Sequence, residues 1–342
     1  MSNVGDGATN SSYTATTFDP SKPSQSSSSN APETETPQTP AFPNTRWINS
    51  TMDFSKNPGV FDDIFKKIKE LTPPAFEGAK LSATKMLSSH FQVSHSLALT
   101  GGASCGYKFG ANYVGTQLYS QSEVFPVILG DMDPNGSANA QIIHQWTDKI
   151  RTRFLAQVQT YKMAGYQIAL DYRTKYTTTS ITGANLDLIS NSGIIVLQHL
   201  TRITNNIDVG AEYLYQANPA IPGRHIGMTS FAGRYRGLNW FGAAKFSPAG
   251  VINLGYFHQK SSSPLQLGVE FETSIKESSA TFSYQYDIAK ANATFKGLID
   301  TNGIVSAVIE KRLLPLPFTF ILSSSLNHAK AAYRFGIGLL VG

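Results

Sequence analysis

Along residues 81–342 apolar and polar positions alternate in short runs, broken by small or turn-forming residues and never by a long apolar block. The clearest run is residues 280–288. Ala280, Phe282, Tyr284, Tyr286 and Ile288 fall on one face and Thr281, Ser283, Gln285 and Asp287 on the other, as successive side chains of a strand do. Leu265, Leu267, Val269 and Phe271 alternate likewise with Gln266, Gly268, Glu270 and Glu272. Ile207, Val209, Ala211, Tyr213 and Tyr215 alternate with Asp208, Gly210, Glu212 and Gln216, and Tyr166, Ile168, Leu170 and Tyr172 with Gln167, Ala169, Asp171 and Arg173. The last run sets Ala331, Tyr333, Phe335, Ile337, Leu339 and Val341 against Lys330, Ala332, Arg334, Gly336 and Gly338. So many strands with one apolar face require either a closed barrel in lipid or a large soluble β-core.

Turn signals fall at Asp133-Pro134-Asn135-Gly136, Asn191-Ser192-Gly193, Pro248-Ala249-Gly250 and Asn302-Gly303. Tight turns make neighbouring strands antiparallel. Residues 79–342, divided at roughly 9–11 per membrane strand and 2–5 per turn, give ~18–22 strands. Counting leaves open whether the number is odd or even.

One stretch has helical spacing instead. Phe61, Ile64, Phe65, Ile68 and Leu71 form an apolar stripe. Asn57 is the expected N-cap and Pro58 the first helical residue, Asp62 and Asp63 precede Lys66, Lys67 and Lys69 in the sense that suits the helix dipole, and Thr72-Pro73-Pro74 ends the run. A helix of about 14 residues is too short to span a bilayer. It must lie against another surface, and the wall or lumen of a barrel is the one available.

Composition agrees with a wall that is half lipid-facing and half wet. The chain of 342 residues is 41% hydrophobic but only 15% charged, where a soluble domain carries about a quarter charged residues. A neutral soluble β-sandwich or adhesin has nearly the same composition. Residues 1–56 are rich in Ser, Thr, Pro and Asn and are expected to be a disordered tail, with Phe42, Trp47 and Ile48 its one apolar spot. The domains expected are therefore the tail 1–56, an amphipathic helical segment 57–74 and a barrel 75–342. No window offers the ~20 apolar residues of a spanning helix, and no basic-then-apolar secretory signal is visible. Cys105 is the one cysteine, so no intrachain disulfide is expected. The net charge of +5 is spread without a Lys/Arg run, which argues against nucleic acid as a partner.

Candidate chemistry is thin. Gly102-Ala103-Ser104-Cys105-Gly106 fits a nucleophile elbow, but no helical pattern follows it and a hairpin turn explains it. The seven histidines are scattered, and metal, phosphate and dinucleotide signatures are missing, so neither an enzyme, a metal site nor a bound cofactor is expected. What remains are acids on wet faces: Asp171, Asp187, Asp208, Glu212, Glu270, Glu272 and Asp287. In a closed barrel these face the lumen, either as residues that keep a pore wet or as a track for basic cargo. Asp287 is expected beside Glu270 and Glu272 on the next hairpin strand.

Several stretches in order carry a resemblance. They are Asn57-Pro58-Gly59 through Leu71, Ser89-His90-Phe91-Gln92-Val93-Ser94-His95, Phe125-Pro126-Val127 with Gly130-Asp131-Met132-Asp133, Gln266 through Glu272, and Leu314-Pro315-Leu316-Pro317. The closing strand has a polar residue, a glycine and two spaced apolar residues (Arg334, Gly336, Leu339, Val341), the pattern of a C-terminal sorting signal of mitochondrial barrels. Over roughly residues 57–342 the chain resembles the channel-forming subunits of the translocase of the mitochondrial outer membrane, within the mitochondrial porin superfamily. The resemblance implies an all-β transmembrane barrel of about 19 mainly antiparallel strands whose first and last strands meet in parallel, with the helix in or along the pore. It implies a multi-pass protein of the mitochondrial outer membrane that conducts unfolded precursors. The implied partners are precursors bearing presequences, presequence receptors, small single-helix subunits, the barrel sorting and assembly machinery, the lipid bilayer, and further copies of the chain within one complex. The alternative within the fold is a metabolite channel of the voltage-dependent anion type, whose Gly-Tyr-Gly-Phe-Gly turn is missing here. The alternative outside it is the soluble adhesin.

Overall fold

The computed structural model describes residues 46–47 (backbone only), 56–100, 105–120, 123–187, 192–218 and 223–342. Nineteen strands follow one another around a closed wall. The first, β1, is Gly78–Met86, followed by β2 Phe91–Leu99, β3 Gly106–Ser120, β4 Glu123–Met132 and β5 Ala138–Gln145. Next come β6 Ile150–Gln159, β7 Lys162–Arg173, β8 Thr177–Asp187, β9 Ser192–Arg202 and β10 Ile207–Ala217. The circuit continues through β11 His225–Arg236, β12 Trp240–Ser247, β13 Val251–Gln259, β14 Leu265–Thr273 and β15 Ser278–Ile288. It ends with β16 Ala293–Asp300, β17 Ile304–Leu313, β18 Phe318–Asn327 and β19 Ala332–Val341. Each strand pairs antiparallel with the next, and β1 closes on β19 in parallel, from Gly78 opposite Gly336 to Ala83 opposite Val341. An odd number of strands is joined by an even number of antiparallel steps, which leaves the first and last strands running the same way, so parallel closure is forced by the count. The turns at Asp133, Pro248 and Asn302 lie where the sequence puts them, closed by Gly136 N–H to Asp133 O, Gly250 N–H to Ser247 O and Gly303 N–H to Asp300 O.

The alternation of faces holds around the circuit apart from register shifts in the β3–β4, β6–β7 and β8–β9 pairings. Leu170, Leu197, Val209, Phe271 and Phe282 point outward and stay exposed, as a surface wetted by lipid chains must. Asp171, Gln198, Asp208, Ser230, Ser283, Ser306 and Ser323 point inward and are buried. At ~4.8 Å between strands and a tilt near 36°, nineteen strands enclose a ring about 36 Å across the backbone. Among the described residues no helix is long and apolar enough to cross a membrane.

The helical segment is shorter than the spacing suggests. A 3₁₀ turn at Phe61–Ile64 is followed by α1 at Lys66–Lys69, and neither Asn57 nor Pro58 belongs to either. Gly59 sits at φ +92°, which interrupts any helix begun at Pro58, and Val60 occupies the N-cap with no side-chain hydrogen bond. The expected tail lies outside the described residues, apart from Lys56 and a two-residue parallel pairing of Arg46 and Trp47 with Gln117 and Leu118 of β3. Residues 101–104, most of the Gly-x-Ser-x-Gly match, also lie outside them.

Candidate functional site: a lumen with a pinned helical segment and paired charges

The apolar stripe of the helical segment rests on the inner wall. Phe61 and Ile64 pack against Leu200 of β9, Ala232 of β11 and Ala243 of β12, while Ile68 and Leu71 pack against Phe241 of β12 and Phe257 of β13. Phe65 touches both groups. The wall makes room with small residues. A Cβ built on Gly268 would lie 2.7 Å from Leu71 Cδ1, and one on Gly255 would lie 3.0 Å from Phe65 Cδ1. The wet-face glycine of β14 is therefore part of the floor on which the segment lies.

Polar contacts fix its two ends. Asn57 donates from Nδ2 to the carbonyls of Thr174 (2.6 Å) and Thr177 (3.3 Å) and accepts at Oδ1 from Thr178 Oγ1 (3.1 Å) and Gly59 N–H (2.8 Å). The residue expected to cap the helix instead ties it to the turn between β7 and β8. Arg202 donates to Asn57 O (3.2 Å), Arg234 to Pro58 O (2.6 Å) and Gln198 to Asp62 Oδ1 (2.8 Å). At the far end Lys296 donates to Glu70 O (3.1 Å).

The seven acids do not form one continuous track. Asp171 is fully buried between Arg151 (3.1 Å) and Arg153 (3.3 Å). Asp208 is fully buried among Arg202 (3.0 Å), Arg234 (2.8 Å) and Arg236. Glu212 pairs with Lys245 (2.8 Å) and accepts from Gln198 Nε2 (2.9 Å). These three are thus balanced by cations that are themselves on wet faces. Glu270 lines a small recess of about 220 Å³ with Phe61, Asp62, Phe65, Lys69 and Lys245. Glu272 is exposed to the lumen, one inward position further along the same strand. Asp187 is exposed at the last position of β8, opposite Ser192.

Asp287 is not beside Glu270 and Glu272. Register sets Glu270 against Thr281 and Glu272 against Ser279, six and eight residues from Asp287, or roughly 20–27 Å along the strand. Antiparallel pairing folds the end of β15 back toward the start of β14, so sequence proximity to the hairpin partner misleads. Asp287 instead accepts from Gln285 Nε2 (3.1 Å).

Local periodicity does not single out Arg151, Arg153, Arg202, Arg234, Arg236 or Lys245. For the arginines, shared parity with Asp171 and Asp208 on adjacent strands is the signal that finds them; Lys245 reaches Glu212 from two strands away. The sorting-pattern residues fall on β19 as the alternation requires, with Leu339 opposite Phe320 and Leu81, and Val341 opposite Phe318 and Ala83.

Residues 57–336 match the family model of the eukaryotic porins. The chain belongs to the eukaryotic porin family. Within it, the chain is 41% identical to the mitochondrial import receptor subunit TOM40 homolog 2 of Drosophila melanogaster, over 84% of each chain. It is 43% identical to the TOM40 homolog of Caenorhabditis elegans over 84% of this chain and 95% of that one. The Homo sapiens homolog is 42% identical over 84% of this chain and 78% of its own. The matched family region begins at Asn57, the anchor residue of the luminal segment, so this porin carries its inner segment as part of the family match.

Proposed function

We propose that the chain is the protein-conducting channel of the mitochondrial outer membrane import machinery. The observation that carries this is the lumen of the closed nineteen-strand wall, which is polar on its inner face and apolar on its outer face. Side chains take about 5 Å from each wall and the docked segment about 10–12 Å. Of ~36 Å across the backbone, roughly 15 Å is left for cargo. An extended polypeptide fits that opening, and so does one helix. The named relatives supply the cargo: each is a mitochondrial import receptor subunit, and their similarity covers most of both chains. The partners that follow are precursors with basic presequences, and receptors and small subunits assembled around the barrel in the membrane.

Transport through this lumen needs no covalent step. Single exposed ion pairs contribute about 0–1 kcal/mol, so a succession of them holds a basic segment briefly without trapping it. Glu270, Glu272 and Asp287 support that role better than Asp171, Asp208 and Glu212, whose charge is already engaged by arginine and lysine. Single-channel recording tests the proposal. A basic amphipathic peptide added on one side is expected to give voltage-dependent blockades at submillimolar concentration. A channel that such a peptide never blocks, but that conducts small anions preferentially, is a metabolite channel instead.

A further inference from the structure

The residues leading into β1 do not approach it from the rim. They cross the inner face of β19 and reach β18. Phe76 donates its backbone N–H to Ser323 Oγ of β18 at 2.9 Å, and Ser323 is buried on the luminal face. The Phe76 ring lies on Gly336 and Gly338, both inward-facing residues of β19. A Cβ at Gly336 would stand 2.7 Å from Phe76 Cδ2, and one at Gly338 would stand 3.1 Å from Cζ. The Glu77 carboxylate is 3.8 Å from Arg334 Nε. Two successive residues of one segment thus bridge β18 and β19 immediately before the chain enters β1.

This bridge spans the most demanding joint in the wall. β1 and β19 form the one parallel pairing among the nineteen strands, and it has six register pairs. Parallel pairing is slightly weaker per residue than antiparallel. Its partners are also the two ends of the strand series, so no short turn helps to hold them together. We propose that Phe76 is the latch of this seam: its ring seats in a notch made by Gly336 and Gly338, its N–H docks on Ser323, and the seated residue holds β1 against β19. Gly336 then serves the finished barrel from inside, because any larger residue there fills the notch. The same contact fixes the lower end of the luminal segment to the wall opposite Asn57, so the segment is held at both ends.

Hydrogen exchange read by mass spectrometry on the purified full chain in detergent tests the latch. Phe76→Ala is expected to raise exchange of the β1 and β19 amides about ten-fold while β9–β13 keep their protection. Phe76→Leu, which refills most of the notch, should recover a large part of it. Unchanged exchange at the seam, or a rise shared equally around the wall, overturns the proposal. Should Phe76→Ala fail to assemble, Ser323→Ala decides the matter. It removes only the hydrogen-bond acceptor, and is expected to give a smaller rise confined to β1, β18 and β19; no rise there counts against the latch.

Discussion

Asp208 is a carboxylate with no exposed surface, surrounded by Arg202, Arg234 and Arg236 from the two strands that flank its own. Its charge leaves water only because guanidinium donors replace the lost hydration, and two of those arginines also hold the backbone of Asn57 and Pro58. Removing the acid leaves cations crowded together with nothing between them. Asp208→Ala is expected to lose about 3–5 kcal/mol of stability, whereas Glu272→Ala, on an exposed side chain, should change it by less than about 0.5 kcal/mol. Thermal unfolding of the two variants in the same detergent makes the comparison, and equal losses would contradict this account of Asp208. The inward orientation of Asp208 is legible in the alternation of residues 207–216. Its partners are not, because Arg234 lies 26 residues away and meets it only through the register of β10 with β11.

The luminal segment shows the same division at the scale of elements. Its stripe of Phe61, Ile64, Phe65, Ile68 and Leu71 is plain in the sequence, and four of the five are buried where the stripe predicts a docking face. Its extent is not plain, because Gly59 takes a left-handed conformation and Asn57 spends its side chain on the β7–β8 turn. Propensity alone cannot foresee that tertiary use. Ile64→Ala and Ile68→Ala are each expected to cost about 2–5 kcal/mol of packing, which frees the segment to move within the passage. Open-channel current noise should rise in both, and quiet wild-type-like openings would mean that the segment is held by its polar anchors alone. The closing strand carries a prediction of its own. Leu339 and Val341 belong to the outward face of β19, and Leu339→Asp with Val341→Asp puts two charges toward lipid at a cost of up to a few kcal/mol each. The double variant is expected to be synthesised but to remain unassembled on a native gel.

Across the whole molecule the charges of the lumen are unevenly shared. The wall from β6 to β11 carries Arg151, Arg153, Arg202, Arg234 and Arg236 closely paired with acids, and β14 carries Glu270 and Glu272 in a more open setting. The net surplus of +5 therefore does not describe the field felt inside, which depends on the groups lining the passage. Glu270→Lys with Glu272→Lys is expected to shift the reversal potential toward anions and shorten peptide blockades. Asp287→Lys, at the other end of β15, should act independently. Recording at low salt, where the Debye length reaches about 30 Å at 0.01 M, gives the largest effect, and blockades unchanged there would reduce these acids to wetting residues. The sequence brackets the strand number but cannot choose its parity, since turn lengths vary by more than the difference between eighteen and nineteen. That parity has a consequence for sidedness. Strands that cross an odd number of times must begin at one mouth and finish at the other, so Gly78 and Gly342 face different compartments. The stretch from Asn57 to Glu77 undoes this by running back through the passage, from the β7–β8 turn at the mouth where Val341 ends. Asn57 thus lies at the same mouth as Gly342, and a partner stationed in that one compartment can reach both.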